Sequence, residues 1–595
     1  MLSLKTGVFF VAAVAIGVRY FYTEKDLQVV RHVELLGEDV QIQGKFSVLH
    51  TNDMHSHAER YSKLSRIIRN ERSLYDESVL LIDAGDWYRG TMFDTLAGSD
   101  RTDSVPELEY FSFNSYDAVL LGNHAFDLGE TVLAGLLDKA SRSDLNLVFL
   151  SANVQIGPKS ELFKYYTQDI LVQPDTDTEE NSVIIAPAIL KTVAGRRVGI
   201  LGIEGPDSAI CSSAHRSNVT FLGYDDSKSR IEQDSLVDYS NKLVQRLRDK
   251  GAELVVLVIH AGPPEDVVFA SRINADVVVG GHTHETLFSQ LVKGDKLVPV
   301  VQCGEYASHI GSLELVFDGS TQGFLVGDRS RERILRDGHS CIPVDMVQDE
   351  YPNMKQLVEH WMGQLSKTVP SAFQYDQVVF DQPVSADGVF TDDDTALSTA
   401  EKVSTGVLFT LNNWLGENDQ RRADVFLTCP ECVRQPIKST GGKRFKLKFH
   451  QVYELVALSG VKPLSAFYIQ KDDFLRLIDV VSLLGKYFSE RFQLAFSSNL
   501  QYDQNPWGIP FVNRVSNLTI NGVEFENLPQ LIKVALPQYI AAYFWQTKTL
   551  TAGLLDSPAR GPNGGFITLD KAVIHSSPPE YELLAQYLAH ISKNS

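Results

Sequence analysis

Between Lys45 and Phe317 one pattern repeats: a short apolar run that ends in polar residues, then a stretch with helical spacing. The runs are FSVLHTND, SVLLIDAGD, YDAVLLGNH, NLVFLSANV, RRVGILGIEG, ELVVLVIHAG, ADVVVGGHTH and LVPVVQCGEY. Each reads as a strand buried on both faces. SKLSRIIRNERS and DSLVDYSNKLVQRLRDKG, which lie between runs, read as helices. Strands alternating with helices predict an α/β layered domain over residues 45–340, with helices covering the faces of a sheet. A helical stretch, NMKQLVEHWMGQLSKT, marks a connector over 341–368. Residues 369–595 mix strand and helix signals and predict a second, α+β domain, as a chain of 595 residues leads one to expect.

The residues that carry chemistry stand at the polar ends of these runs. Asp53 and His55 are two apart after the first, so both side chains can point to one side. Asp86 follows the second run; Asn123 and His124 follow the third, with Asp127 three residues on. His260 ends ELVVLVIH, and His282 and His284 close VVVGGHTH. Taken singly, an Asp after a strand is usually a turn or helix cap, and Asn123 beside Gly122 suits a left-handed turn. A lone His there is more often a satisfied hydrogen-bonding group than a ligand. Taken together, carboxylate, amide oxygen and imidazole are ligands for divalent zinc, manganese or iron. Seven such groups from five strand ends, Asp53, His55, Asp86, Asn123, His260, His282 and His284, suffice for two ions that share a bridge. Open α/β sheets place their ligand sites at strand carboxyl ends. The formal net charge of -20 argues against nucleic acid as a partner. A small anionic substrate would need cations to reverse the sign locally.

The segments HTNDMHSH, DAGDWYRGT, YDAVLLGNHAFDLG, SANV, HAG and GGHTHE resemble the metallophosphoesterase domain of the 5'-nucleotidases, UDP-sugar hydrolases and apyrases. The resemblance implies a four-layer α/β sandwich of the calcineurin-like kind, followed by a 5'-nucleotidase C-terminal-like domain. It implies one metal ion held at Asp53, His55 and His284, a second at Asn123, His260 and His282, and Asp86 bridging the two. His124 and Asp127 match a pair that acts beside the phosphate. Ala125 stands where the family usually has a glutamate, at a position that is not a ligand. Two divalent cations such as zinc or manganese, about 3.5–4 Å apart, polarise a phosphoryl group and depress the pKa of water. The implied reaction is hydrolysis of a nucleotide or related phosphate ester. A metal-binding protein with little catalysis, or a phosphoesterase of non-nucleotide substrates, is the alternative.

The match thins in the second domain, which in this family supplies the nucleoside pocket. ADVFLTCPECVR stands where an Asn-Gly-Gly-Gly-Ile-Arg loop is usual, and Arg434 alone keeps a polar, substrate-binding position. YIAAYFWQTK replaces a Gly-Gly-Asp-Gly segment. Tyr543, Phe544, Trp545 and Trp507 offer a replacement aromatic surface or, more simply, core packing. At the other end, Lys5 precedes the apolar run GVFFVAAVAIGV, so residues 1–22 read as a signal peptide or an uncleaved membrane anchor. The secretory pathway is therefore the expected compartment. Two sequons, at Asn218 and Asn517, suit it. So does CPEC, where Cys429 and Cys432 are expected to form a local disulfide; Cys211, Cys303 and Cys341 have no assignable partners.

Overall fold

A computed structural model of the chain describes residues 29–30, 42–99, 101–172, 183–212, 218–225, 230–293, 296–318, 323–326, 339–369, 372–384, 390–417, 419–433, 437–439, 442–459, 462–487, 494–505, 514–544 and 559–594. The apolar run within residues 1–22, Arg434, Trp507 and Trp545 lie outside the described residues. Among those described, no helix is long and apolar enough to cross a membrane. The chain divides into two compact units, Glu24–Thr368 and Val369–Ser595.

Nine strands of the first unit carry or adjoin the polar ends described above. In chain order they are β1 (Ile42–Thr51), β2 (Val79–Asp83), β3 (Ala118–Leu120), β4 (Leu254–His260), β5 (Val277–Gly281), β6 (Thr286–Lys293), β7 (Lys296–Cys303), β8 (His309–Asp318) and β9 (His339–Pro343). They belong to two sheets. One runs Gly323–Val326, β8, β1, β2, β3, Leu147–Leu150, Val183–Ala186, with β9 also paired to β8. The other runs Val29–Val30, β6, β7, β5, β4, Arg196–Glu204, Ala188–Val193, Leu171–Val172. β1, β2 and β3 are parallel, as are Arg196–Glu204, β4, β5 and β7, so within each sheet the carboxyl ends of the strands that precede the candidate residues share one edge.

The two sheets face each other. Alternate residues Phe46 and Val48, Leu80 and Ile82, Val256 and Val258, and Val277 and Val279 all enter one buried cluster, which follows from the period of two along a strand. The intervening Val255, Leu257 and Ile259 join a different cluster, with Leu236, Leu243 and Leu247 of helix Gln233–Asp249 and Phe269 of helix Pro263–Arg272. Helices Tyr61–Leu74, Pro106–Phe113 and Glu130–Arg142 pack on the first sheet. The layers are therefore helix, sheet, sheet, helix. Helices cover one face of each sheet, not both; an apolar run reads the same whether a helix or a second sheet buries it.

In the second unit Leu464–Gln470, Leu531–Pro537, Val425–Thr428 and Ala495–Phe496 form a four-stranded sheet. Its core takes in Phe467, Val534, Phe474 and Ile478, the last two from helix Lys471–Tyr487. Phe544 belongs to this core, its ring 5.3 Å from that of Phe467, so it is packing and no free aromatic surface. Cys429 and Cys432 are joined by a disulfide, and Cys303 and Cys341 form a second one that was not assignable from sequence.

Candidate metal centre

β1 ends at Thr51 and β5 at Gly281, so Asp53, His55, His282 and His284 stand beyond their strands and not on them. Strand alternation therefore does not aim them. Left-handed backbone does: φ is +49° at Asp53, +46° at His55, +54° at Asp86, +88° at His282 and +62° at His284. Each costs a non-glycine residue of order 1–3 kcal/mol and persists only where its surroundings hold it. Here they do, for Asp53 N–H donates to Gly85 O (2.9 Å) and His55 N–H to Asp86 O (3.0 Å), stitching the first two loops together.

The side chains converge. His55 Nε2 faces His284 Nε2 at 3.0 Å, and Asp53 Oδ1 lies 3.5 Å from His284 Nε2. Opposite them, Asn123 Oδ1 lies 3.2 Å from His260 Nε2 and 3.1 Å from His282 Nδ1. Asp86 Oδ2 sits 2.9 Å from His260 Nε2 and 3.9 Å from His124 Nε2. Ligand atoms of Asp53, His55 and His284 lie within 4.8 Å of one another, as do those of Asp86, His260 and His282, and those of His55, Asp86 and His124. The third set links the other two through Asp86 and His55. All seven expected ligands are thus brought together, from two different sheets.

The donor set fits divalent cations on its own chemistry. His55 Nδ1 and His260 Nδ1 each face a backbone carbonyl, Arg89 O and Ala84 O, at 2.8 Å. A ring nitrogen that donates to a carbonyl leaves the other as a lone pair, and here those lone pairs point at each other's neighbours and at carboxylates. Such converging acceptors need positive charge between them. Without an ion, protons take that role. Burial opposes charge on His260, yet Asp86, Asp53 and Glu204 outweigh it and push the imidazole up to about 10. At His284 burial is likewise outweighed by Asp53 and Glu305, which push it up to about 9. His282, desolvated beside His260, falls to about 4. Burial alone would raise the Asp86 carboxyl, but His260 and His124 hold it well below the usual carboxylate range. His284 in the first set and His260 in the second each draw a proton, where an ion would otherwise sit.

His124 lies at the opening, its side chain 15% exposed, with Nδ1 2.6 Å from Asp127 Oδ2. The His124 backbone N–H donates to Asp86 Oδ1 (2.9 Å), which ties it to the centre. Two groups that sequence reading passed over also reach the site: Asn52, whose amide donates to Asp53 Oδ2 at 2.7 Å, and Glu305, which pairs with His284 Nδ1. Glu305 is the next-to-last residue of the run LVPVVQCGEY, two past the strand's end at Cys303, so a polar group after a strand was its signal.

With this geometry in view, the comparisons with known proteins are specific. Residues 46–286 match the model of the calcineurin-like phosphoesterase family. A trifunctional nucleotide phosphoesterase of Bacillus subtilis is 26% identical over 349 residues, 56% of this chain and 22% of that protein. The venom 5'-nucleotidase of Crotalus adamanteus is 29% identical over 307 residues, 46% of this chain and 45% of the venom protein. The chain thus spans less than half the length of each. The crystal structure of a 5'-nucleotidase precursor from Thermus thermophilus superposes with a TM-score of 0.61 at 19% identity, covering 92% of this chain and 97% of that one. Residues 46–286 therefore form a calcineurin-like phosphoesterase domain, in a chain that shares the fold of the 5'-nucleotidases it resembles.

Proposed function

We propose that the protein is a metal-dependent phosphohydrolase that cleaves phosphate from nucleotides or related phosphate esters. The observation that carries this reading is the meeting of two donor sets at Asp86, with His124 and Asp127 beside them. Two divalent cations, when bound, polarise a phosphoryl group and lower the pKa of water. Asp53, His55 and His284 would hold one, Asn123, His260 and His282 the other, and Asp86 both. His124, held by Asp127 at Nδ1 with Nε2 3.9 Å from Asp86 Oδ2, stabilises charge on the phosphoryl oxygens or hands a proton to the leaving oxygen. The substrate class rests on the relatives, which are named nucleotide phosphoesterase and 5'-nucleotidase. Two disulfides support an oxidising, secretory compartment for the chain.

Phosphate release from AMP, ADP, ATP and an aryl phosphate, and glucose 1-phosphate release from UDP-glucose, by the purified protein supplied with manganese or zinc, test the reading. Turnover that chelator and Asp86→Ala both abolish is the expected result. Two bound metal ions with no release from any of these would reject it in favour of a metal-binding protein or a non-nucleotide substrate.

A further inference from the structure

We infer that Glu305 is a positioning residue of the metal centre, holding His284 from behind and making the Asp53–His55–His284 position the tighter of the two. The inference rests on the two-metal reading above. β6 and β7 pair antiparallel as far as Thr286 opposite Cys303, and Gly304 N–H donates to Glu285 O (3.0 Å), carrying the ladder one step further. The next step sets Glu305 across from His284, and its carboxylate accepts from His284 Nδ1. That bond selects the tautomer whose Nε2 lone pair faces His55 and Asp53.

The two positions then differ in charge. His55 and His260 are backed by neutral backbone carbonyls, whereas His284 is backed by a carboxylate, which makes an imidazole a stronger donor. Asp53 adds a second negative group on that side. On the other, Asn123, His260 and His282 are neutral ligands apart from the shared Asp86. Glu204, buried behind them, acts on His260 through space, its hydrogen bonds going to Gly122 N–H and the Ser208 hydroxyl.

The loop that presents Glu305 is firmly held. Its neighbours are left-handed, with φ of +67° at Gly304, +55° at Tyr306 and +53° at Ala307. The Asn52 amide donates to Gly304 O (2.7 Å), while its carbonyl accepts from Cys303 N–H (3.0 Å). Tyr306 N–H donates to Asp53 O (2.7 Å), and the Arg60 guanidinium to Tyr306 O (2.6 Å). The Cys303–Cys341 disulfide anchors the loop's entry to β9. Strained backbone of this kind survives where several contacts over-determine it.

Calorimetric titration of the metal-free, full-length protein with manganese(II), paired with the visible spectrum of the cobalt(II) form, tests the assignment. The wild type is expected to bind two ions in two affinity classes. Glu305→Ala should weaken the tighter class about 10- to 100-fold and change the cobalt spectrum, leaving the weaker class unchanged. Glu305→Asp should restore most of the loss. Both classes unchanged would overturn the assignment. So would both weakening together with a lower melting temperature of the metal-free protein, since that pattern marks general loosening. A wild type that binds fewer than two ions would instead overturn the two-metal reading itself, and this inference with it.

Discussion

Gly122 offers the sharpest test of how the centre is assembled. It joins β3 to the turn that presents Asn123 and His124, with φ +77° and ψ +163°, a region essentially reserved for glycine and costing other residues of order 1–3 kcal/mol. A Cβ added there would lie 2.2 Å from Asp86 N and 2.3 Å from Asp86 Oδ1. Ordinary contacts begin near 3.4 Å, so Gly122→Ala must push Asp86 away by about 1 Å. A displacement of that size in a reacting geometry costs on the order of 100-fold in rate. The variant should therefore lose about 1–3 kcal/mol of stability and about two orders of magnitude in phosphate release, with weaker metal uptake. Gly135 provides the control. It lies in helix Glu130–Arg142, and a Cβ there meets nothing within 4 Å, so Gly135→Ala should keep full activity and gain up to about 1 kcal/mol. Phosphate release, metal content and thermal melts on both variants decide the matter. If Gly122→Ala keeps near wild-type turnover with two ions bound, the reasoning from this contact is wrong.

Three further outcomes follow from the geometry. His124→Ala should lower kcat by about 10²–10⁴-fold while bound metal per protein stays the same; parallel loss of metal would make His124 a ligand instead. Burial pushes the Glu107 carboxyl up to about 8, the Ser56 hydroxyl and its own backbone pulling it back only in part. The unfolded chain ionises near the ordinary glutamate value while the fold keeps the proton, so stability falls as pH rises between those values and levels off above about 8. Glu107→Gln should gain on the wild type across that window, by a few kcal/mol at about 1.4 kcal/mol per pKa unit, in denaturation midpoints at acid and mildly alkaline pH; a difference that does not vary with pH would refute it. Finally, metal supplied at about 100 times its dissociation constant should stabilise the fold by about 2.7 kcal/mol per ion, seen as a melting temperature that chelator reverses; a melt indifferent to metal would remove the centre from the folding equilibrium.

What could be read from the sequence, and what could not, divides along the range of the interactions. The ligand-bearing strands are legible because β4, with every residue from Leu254 to His260 buried, must be apolar throughout, and the first polar residue then marks its end. The chemistry of the candidate residues is legible because carboxylate, amide oxygen and imidazole together form a donor set suited to divalent cations. Their aim was not legible. Left-handed φ at Asp53, His55, Asp86, His282 and His284 is fixed by bonds such as Asp53 N–H to Gly85 O; aspartate and histidine only tolerate it more readily than most residues. The apolar runs by themselves leave one sheet or two undecided, because burial on both faces records that something covers a strand, not what covers it; the four layers were legible through the family resemblance. The carboxylate behind His284 depends on register between β6 and β7, which sets Glu305 opposite His284 across a hairpin. The ligands themselves are specified by local pattern. The groups that hold them are specified by pairing, and that is why altering Glu305 or Gly122 probes the fold's contribution to the centre more directly than altering a ligand does.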